Sequence, residues 1–300
     1  VRNIVCYHAK CSDGFTAAFV AYSWARERGI LDSYEFVPTN PNKTPLVDVD
    51  GCNVIMFDVC LEKEALHKWK ELTNHFEVYD HHISNQREVG YLNYCHFDNN
   101  LSGATLAWKY YYPDKEVPWW VAYTQDRDLW TWKLPQSKEI SSFLVNLDFT
   151  FESYEILNSI SFEEALKIGS AILSADNVKI AQSCERPMYM WMDEYGFMYD
   201  DYRGNDLCES GAKIYKIPVV NSNNYQSEIG NKLAENNLFS IVWYAGEAED
   251  KSKHAQLSFR SVGDFDVSLI AKHFCGGGHK NASGARVPLG NWLRKLMCLC

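Results

Sequence analysis

Asn3-Ile4-Val5-Cys6-Tyr7-His8-Ala9-Lys10-Cys11-Ser12-Asp13-Gly14-Phe15 is the stretch on which the fold turns. The apolar run over 3–7 has the length of a buried strand. Over 13–27 the period becomes helical, with Phe15, Ala18, Phe19 and Tyr22 on one face and Asp13 as the N-terminal cap. The cadence recurs in Asn53-Val54-Ile55-Met56-Phe57, the helical pattern over 62–72, and Phe76-Glu77-Val78-Tyr79. Buried strands separated by helices predict a parallel sheet with right-handed crossovers, because a tight turn cannot join parallel strands. The fold class is α/β.

Residues 101–183 read as mainly helical and rich in Trp and Tyr, with Ser102 capping a helix that Pro113 stops. Pro187, Gly196 and Gly204 among scattered aromatics then mark a boundary. A second, smaller αβ unit follows, with strands over 213–220, 240–244 and 254–260 and helices over 227–235 and 267–273. The organisation expected is a parallel-sheet domain over 1–185, a linker over 186–210 and a smaller α/β domain over 211–300. There is no fixed-period repeat and no low-complexity tract.

The 300 residues suit two domains, and 46% hydrophobic with 23% charged residues describes a chain with a real core. The balance of 29 basic against 39 acidic residues, net −10, argues against a broad nucleic-acid-coating surface. It leaves room for a local anion site, since a bound cation outweighs several carboxylates. No apolar run reaches membrane-spanning length. The ten cysteines include no C-x-x-C pair, and a chain this long requires no disulfide scaffold. They point to a reducing, intracellular compartment, most simply the cytoplasm. A removed targeting peptide before Val1 stays open. Cys298-Leu299-Cys300 reads as a surface tail before a lipidation signal.

Each of the three strands runs into metal-ligand chemistry: His8, Cys11 and Asp13 after the first, Asp58 after the second, Asp80-His81-His82 after the third. Carboxyl ends of parallel strands line one crevice, so these groups converge. Carboxylates suit hard cations such as Mg2+, and imidazole adds affinity for Mn2+, Fe2+ or Zn2+. Taken singly, such an Asp is more often a cap or turn residue, and His81-His82 an ordinary surface pair. Three strand ends in one register favour the divalent, dinuclear site. Asp126, in Gln125-Asp126-Arg127-Asp128, is either an ion-pair partner of Arg127 or a further ligand. Cys275-Gly276-Gly277-Gly278-His279-Lys280-Asn281 is either a helix stop or an anion cradle, to which Arg260 adds a guanidinium fork; the cradle is favoured.

Together these motifs resemble the DHH-family phosphoesterases with a C-terminal DHH-associated domain, in the oligoribonuclease and exopolyphosphatase-like branch. The resemblance rests on the opening around His8, on Phe57-Asp58, on the Asp80-His81-His82 triplet, on Asp126 and on the glycine-rich 276–284 stretch, in the family's order over nearly the whole chain. It implies an N-terminal domain holding two divalent ions, usually Mn2+ with Mg2+ as the alternative. His8, Cys11 and Asp58 would serve one; Asp13, Asp58, His81 and Asp126 would serve the other, with Asp58 bridging. His82 would face the scissile phosphate or orient the nucleophile. Arg260, Gly276, Gly277, Gly278, His279 and Asn281 would grip the rest of the substrate in the associated domain. Cys11 stands where the family commonly has Asp, one residue closer to His8, and a thiolate there favours softer metals.

The resemblance thus implies a hydrolase that cleaves phosphodiester bonds of short oligonucleotides or small nucleotides, 3′→5′ exonuclease-like, by a two-metal mechanism. The alternatives are a polyphosphate or pyrophosphate hydrolase and a catalytically weak nucleotide-binding module. Expected partners are the short nucleic acid or nucleotide and a second copy of the chain, with no membrane. Trp119, Trp120, Trp130 and Trp132 either stack bases or fill the core, and the core reading is favoured.

Overall fold

The computed structural model describes residues 1–199, 213–248 and 251–297, which form two compact units, Val1–Ala175 and Asp176–Cys300. The tail cysteines Cys298 and Cys300 lie outside the described residues, as do positions 200–210 of the expected linker.

In the first unit, β1 (Asn3–His8), α1 (Ser12–Glu27), β2 (Tyr34–Thr39), β3 (Asn53–Phe57), α2 (Lys63–Leu72), β4 (His75–Asp80), α3 (Ile83–Val89) and β5 (Cys95–Phe97) alternate along the chain. All five strands are parallel, in the order β2-β1-β3-β4-β5. Period-2 alternation serves both faces of this sheet. Val5, Ile55 and Phe57 join the core shared with α1, whereas Ile4, Cys6, Val54 and Met56 join the opposite core with Leu66 and Trp69 of α2. Five helices complete the unit: α4 (Gly103–Tyr111), α5 (Trp119–Asp128), α6 (Ser137–Leu144), α7 (Phe151–Tyr154) and α8 (Phe162–Cys184). Ser102 caps α4 as expected, its Oγ accepting from Thr105 N at 3.4 Å.

The second unit contains β6 (Met188–Asp193), β7 (Met198–Tyr199), β8 (Ile214–Asn221), α9 (Gln226–Ala234), β9 (Ser240–Glu247), β10 (Lys253–Arg260), α10 (Val267–His273), β11 (Gly277–His279), β12 (Ala282–Pro288) and α11 (Leu289–Met297). Its sheet runs β11-β12-β10-β9-β8-β6-β7, with β8 and β9 parallel and every other pair antiparallel. Two expectations change. Residues 186–199 are no linker: they supply β6 and β7, and Asp193 closes the turn between them by accepting from Tyr195 N, Phe197 N and the Tyr199 hydroxyl. The division between units falls inside α8, earlier than the sequence boundary at 185.

Candidate metal centre

Parallel register brings the strand-end groups together. Tyr7 stands beside Phe57, and Phe57 beside Tyr79, so His8, Asp58 and Asp80 leave the sheet at one edge. Asp58 turns sharply there, with φ of 61°, in the left-handed region that Asp tolerates better than most residues. Its backbone N donates to Tyr79 O at 3.0 Å. The turn aims its carboxylate two ways: Oδ2 lies 3.3 Å from His8 Nδ1, and Oδ1 lies 3.1 Å from His81 Nε2.

Around this bridge, donor atoms of His8, Cys11 and Asp58 lie within 4.8 Å of one another, as do those of Asp13, His81 and Asp128. Asp58, Asp80, His81 and His82 form a third, overlapping group at the same spacing. Asp13 does not cap its own helix; Cys11 occupies that position. Instead the Asp13 carboxylate reaches the N-terminus of α4 and accepts from Gly103 N at 2.6 Å and Ala104 N at 3.0 Å. Gly103 is required at that approach, because a Cβ there would sit 2.4 Å from Asp58 Cβ and 2.9 Å from Asp13 Oδ2.

Asp80 has a different task. Its Oδ1 accepts from His81 N at 2.7 Å and lies 2.7 Å from His82 Nδ1, while Oδ2 accepts from Asn85 Nδ2 at 2.7 Å. It therefore closes the first turn of α3 and sets the plane of the His82 ring. Asn99 Nδ2 donates to His81 O at 2.6 Å and braces the triplet from the far side.

The expectation for Asp126 is corrected. Both of its oxygens are taken up by the turn after α5: Oδ1 accepts from Lys133 N at 2.9 Å and from the Thr131 hydroxyl, and Oδ2 from Leu134 N at 3.1 Å and the Ser137 hydroxyl. Burial opposes its charge, but the Ser137 and Thr131 hydrogen bonds outweigh that and hold the carboxyl below its usual range. The ligand-side acid is Asp128, whose Oδ2 is 3.4 Å from His81 Nε2. Two residues along a helix turn the side chain by roughly 200°, so only one of this pair can face the cluster.

The electrostatics are those of a site short of positive charge. Burial, then the Asp128 and Asp58 charges, push Asp13 well up. Burial and the Asp58 charge do the same to the Cys11 thiol. Burial pulls His81 down, yet the Asp58 hydrogen bond and the Asp128, Asp58 and Asp13 charges win and raise it to about 10. For His82, burial is likewise outweighed, by Asp80 first, and it rises to about 9. Crowded oxygen donors with imidazole and one thiol fit divalent cations, which would relieve this repulsion.

In the second unit, burial pulls the Arg260 guanidinium down to about 10, and it donates to Ser227 Oγ at 2.8 Å and Phe259 O at 2.8 Å. The glycine run both stops a helix and starts a strand. Cys275, with φ of 58°, ends the α10 segment, and Gly277–His279 becomes the edge strand β11. Gly276 and Gly278 are needed by packing, since a Cβ at either would meet the β12 backbone at 2.1 Å and 2.7 Å; at Gly277 nothing lies within 4 Å. Asn281 is corrected from substrate contact to brace: its amide donates to Ser261 Oγ at 2.9 Å and Gly263 O at 3.0 Å. His279 O accepts from Ser283 Oγ at 2.7 Å.

Residues 220–297 match the DHHA1 domain. The chain is 30% identical over 299 residues to an uncharacterized protein of Acanthamoeba polyphaga mimivirus, covering 94% of this chain and 66% of that protein. It is 23% identical over 244 residues to the oligoribonuclease NrnB of Bacillus subtilis, covering 75% of this chain and 56% of NrnB. The chain thus spans less than two thirds of the length of either relative. Among solved structures it resembles RecJ of Thermus thermophilus in complex with Mn2+, with a TM-score of 0.52 at 12% identity, over 99% of this chain and 51% of RecJ. It also resembles the DHH domain of a protein described as belonging to a family of ribosomal proteins, with a TM-score of 0.54 at 14% identity, over 99% of this chain and 85% of that one. At these identities the structural likeness concerns the fold. A five-stranded parallel sheet with acids and histidines at its carboxyl edge, followed by a DHHA1 domain, defines the class. The chain belongs to the DHH family of phosphoesterases, a family of hydrolases.

Among the described residues, no helix is long and apolar enough to cross a membrane.

Proposed function

We propose that this chain hydrolyses phosphodiester bonds of short oligonucleotides or small nucleotides, using two divalent cations, Mn2+ in the first instance. The carrying observation is the bridge: one oxygen of Asp58 faces His8 and the other faces His81, each beside its own set of donors. His8, Cys11 and Asp58 would hold one ion; Asp13, His81, Asp128 and Asp58 would hold the other. When bound, such a pair supplies positive charge that polarises the phosphoryl group and makes water acidic enough to attack near neutral pH.

The chain's own groups do the rest. With Nδ1 engaged by Asp80, His82 carries its other proton on Nε2, the atom that donates to a phosphoryl or leaving oxygen. At about 9 the ring is cationic at neutral pH and adds to the charge that stabilises the crowded phosphoryl oxygens. Asp13 is fixed by the α4 amides, so it cannot swing away as substrate arrives. In the DHHA1 domain, Arg260 and Ser227 supply donors for a second phosphate, and the open backbone at Gly277 admits it closely. The substrate preference is supported by the oligoribonuclease NrnB, a relative by sequence.

A turnover panel of short RNA, short DNA, cyclic dinucleotides and polyphosphate with Mn2+ tests the reading. Release of mononucleotides from the short RNA is expected. Turnover of polyphosphate alone would replace it with an anhydride hydrolase.

A further inference from the structure

The turn that Asp126 builds carries two indoles. Directly after Asp128, Trp130 and Trp132 both adopt left-handed backbone, with φ of 55° and 51°. For bulky residues this is a strained conformation, and it persists only where its surroundings impose it. The imposing groups are visible. Asp126 O accepts from Thr131 N at 2.9 Å, Arg127 O accepts from Trp130 N at 2.9 Å, and the four carboxylate bonds of Asp126 hold 131–137.

What the strained turn achieves is display. Trp120, earlier on α5, is buried against Phe19 and Trp108, as an aromatic core residue should be. Trp130 and Trp132 are not in the core: both are half-buried, and their rings meet edge to face with centroids 4.8 Å apart at 76°. Cations flank them, with the Arg127 guanidinium 5.8 Å from the Trp130 ring and the Lys138 ammonium 5.8 Å from the Trp132 ring. Lys133, next in the chain after Trp132, is exposed. A rigid pair of half-open indoles with three cations nearby, in an acidic chain, matches one kind of ligand: a flat π-system attached to phosphate.

We infer that Trp130 and Trp132 form a base-stacking subsite for the nucleotide whose phosphate enters the adjacent metal centre. The inference rests on the phosphodiesterase reading and deepens it. It makes the nucleobase part of what is recognised, which separates nucleotides from bare polyphosphate. The left-handed turn is the reason Asp126 is needed without being a ligand: the same carboxylate fixes the indoles and the approach of Asp128.

The test is the ratio of kcat/KM for a dinucleotide to that for its abasic counterpart with the same sugar-phosphate backbone, in the full chain with Mn2+. In Trp130→Ala and Trp132→Ala this ratio should fall about tenfold or more, mostly through KM, and Trp132→Phe should restore much of it. An unchanged ratio, whether both substrates are cleaved normally or both suffer equally, overturns the inference. If the wild-type chain cleaves neither, the phosphodiesterase reading fails on its own. The subsite is then read by calorimetry with AMP against ribose 5-phosphate: a preference for AMP lost in Trp132→Ala upholds it, and equal binding removes it.

Discussion

Asp80 Oδ1 lies 2.7 Å from His82 Nδ1, and the same oxygen accepts from the His81 backbone N at 2.7 Å. One carboxylate therefore both starts α3 and fixes the ring that precedes it. A carboxylate behind a histidine sets its tautomer and its basicity, and removing such a partner typically costs about 10–100-fold.

Asp80→Asn should accordingly lower kcat by about that factor. It should also move the alkaline limb of the pH–rate profile. With Asp80, the His82 cation persists to about 9. Without it, burial is no longer outweighed and the proton is lost nearer the ordinary value of about 6.5. A full profile for the two proteins checks this; an unmoved limb would separate His82 from the titration.

Asp126 and Asp128 should dissociate cleanly. Asp126→Asn removes an acceptor from a buried four-donor network, so the melting temperature should drop, by about 1–3 kcal/mol of stability, with Mn2+ stoichiometry kept. Asp128→Asn should leave the melting temperature of the chelated protein nearly unchanged and weaken metal binding. Calorimetry of unfolding and of Mn2+ binding on both variants decides it.

Chelation should reverse the usual pH behaviour. In the metal-free chain His81 and His82 are raised to about 10 and about 9, so their contribution to stability is complete below about 6.5 and is lost as pH rises through those values. Melting temperatures of the chelated protein should fall between neutral pH and about 10. With Mn2+ bound the ion replaces those protons, and affinity should grow with pH over the same interval.

Cys11 makes the two cation positions unlike. A site of imidazole, thiol and carboxylate is softer than one of two carboxylates and imidazole. Cys11→Ser should weaken Co2+ or Zn2+ binding about tenfold or more and Mn2+ binding less, and should abolish the thiolate-to-cobalt charge-transfer absorption. Chelator competition and the near-ultraviolet spectrum report the two effects.

The strand ends at His8, Asp58 and His81 were legible because a buried parallel strand is short, apolar and sharply bounded, so its last residue can be read from sequence alone. Other features were not. β2 was hidden by Pro38, a residue confined to edge strands, and β2 is indeed the edge of its sheet. β6 and β7 were hidden by Pro187 and Gly196, which mark a hairpin turn as readily as a linker. Asp126 and Asp128 are chemically identical, and only the orientation of the end of α5 tells them apart. The Trp130–Trp132 pair looked like core because helical spacing cannot reveal a left-handed turn. Asn281 had the right chemistry for an anion, but the loop over 261–263 uses its amide first.

The count of Mn2+ ions bound per chain, measured with dinucleotide turnover in wild-type and Asp58→Ala protein, bears on the bridge most directly. Because Asp58 faces both donor sets, its loss should empty both positions and abolish turnover while the chain stays folded. An Asp58→Ala protein that still binds two ions and cleaves the dinucleotide would contradict the shared-carboxylate centre.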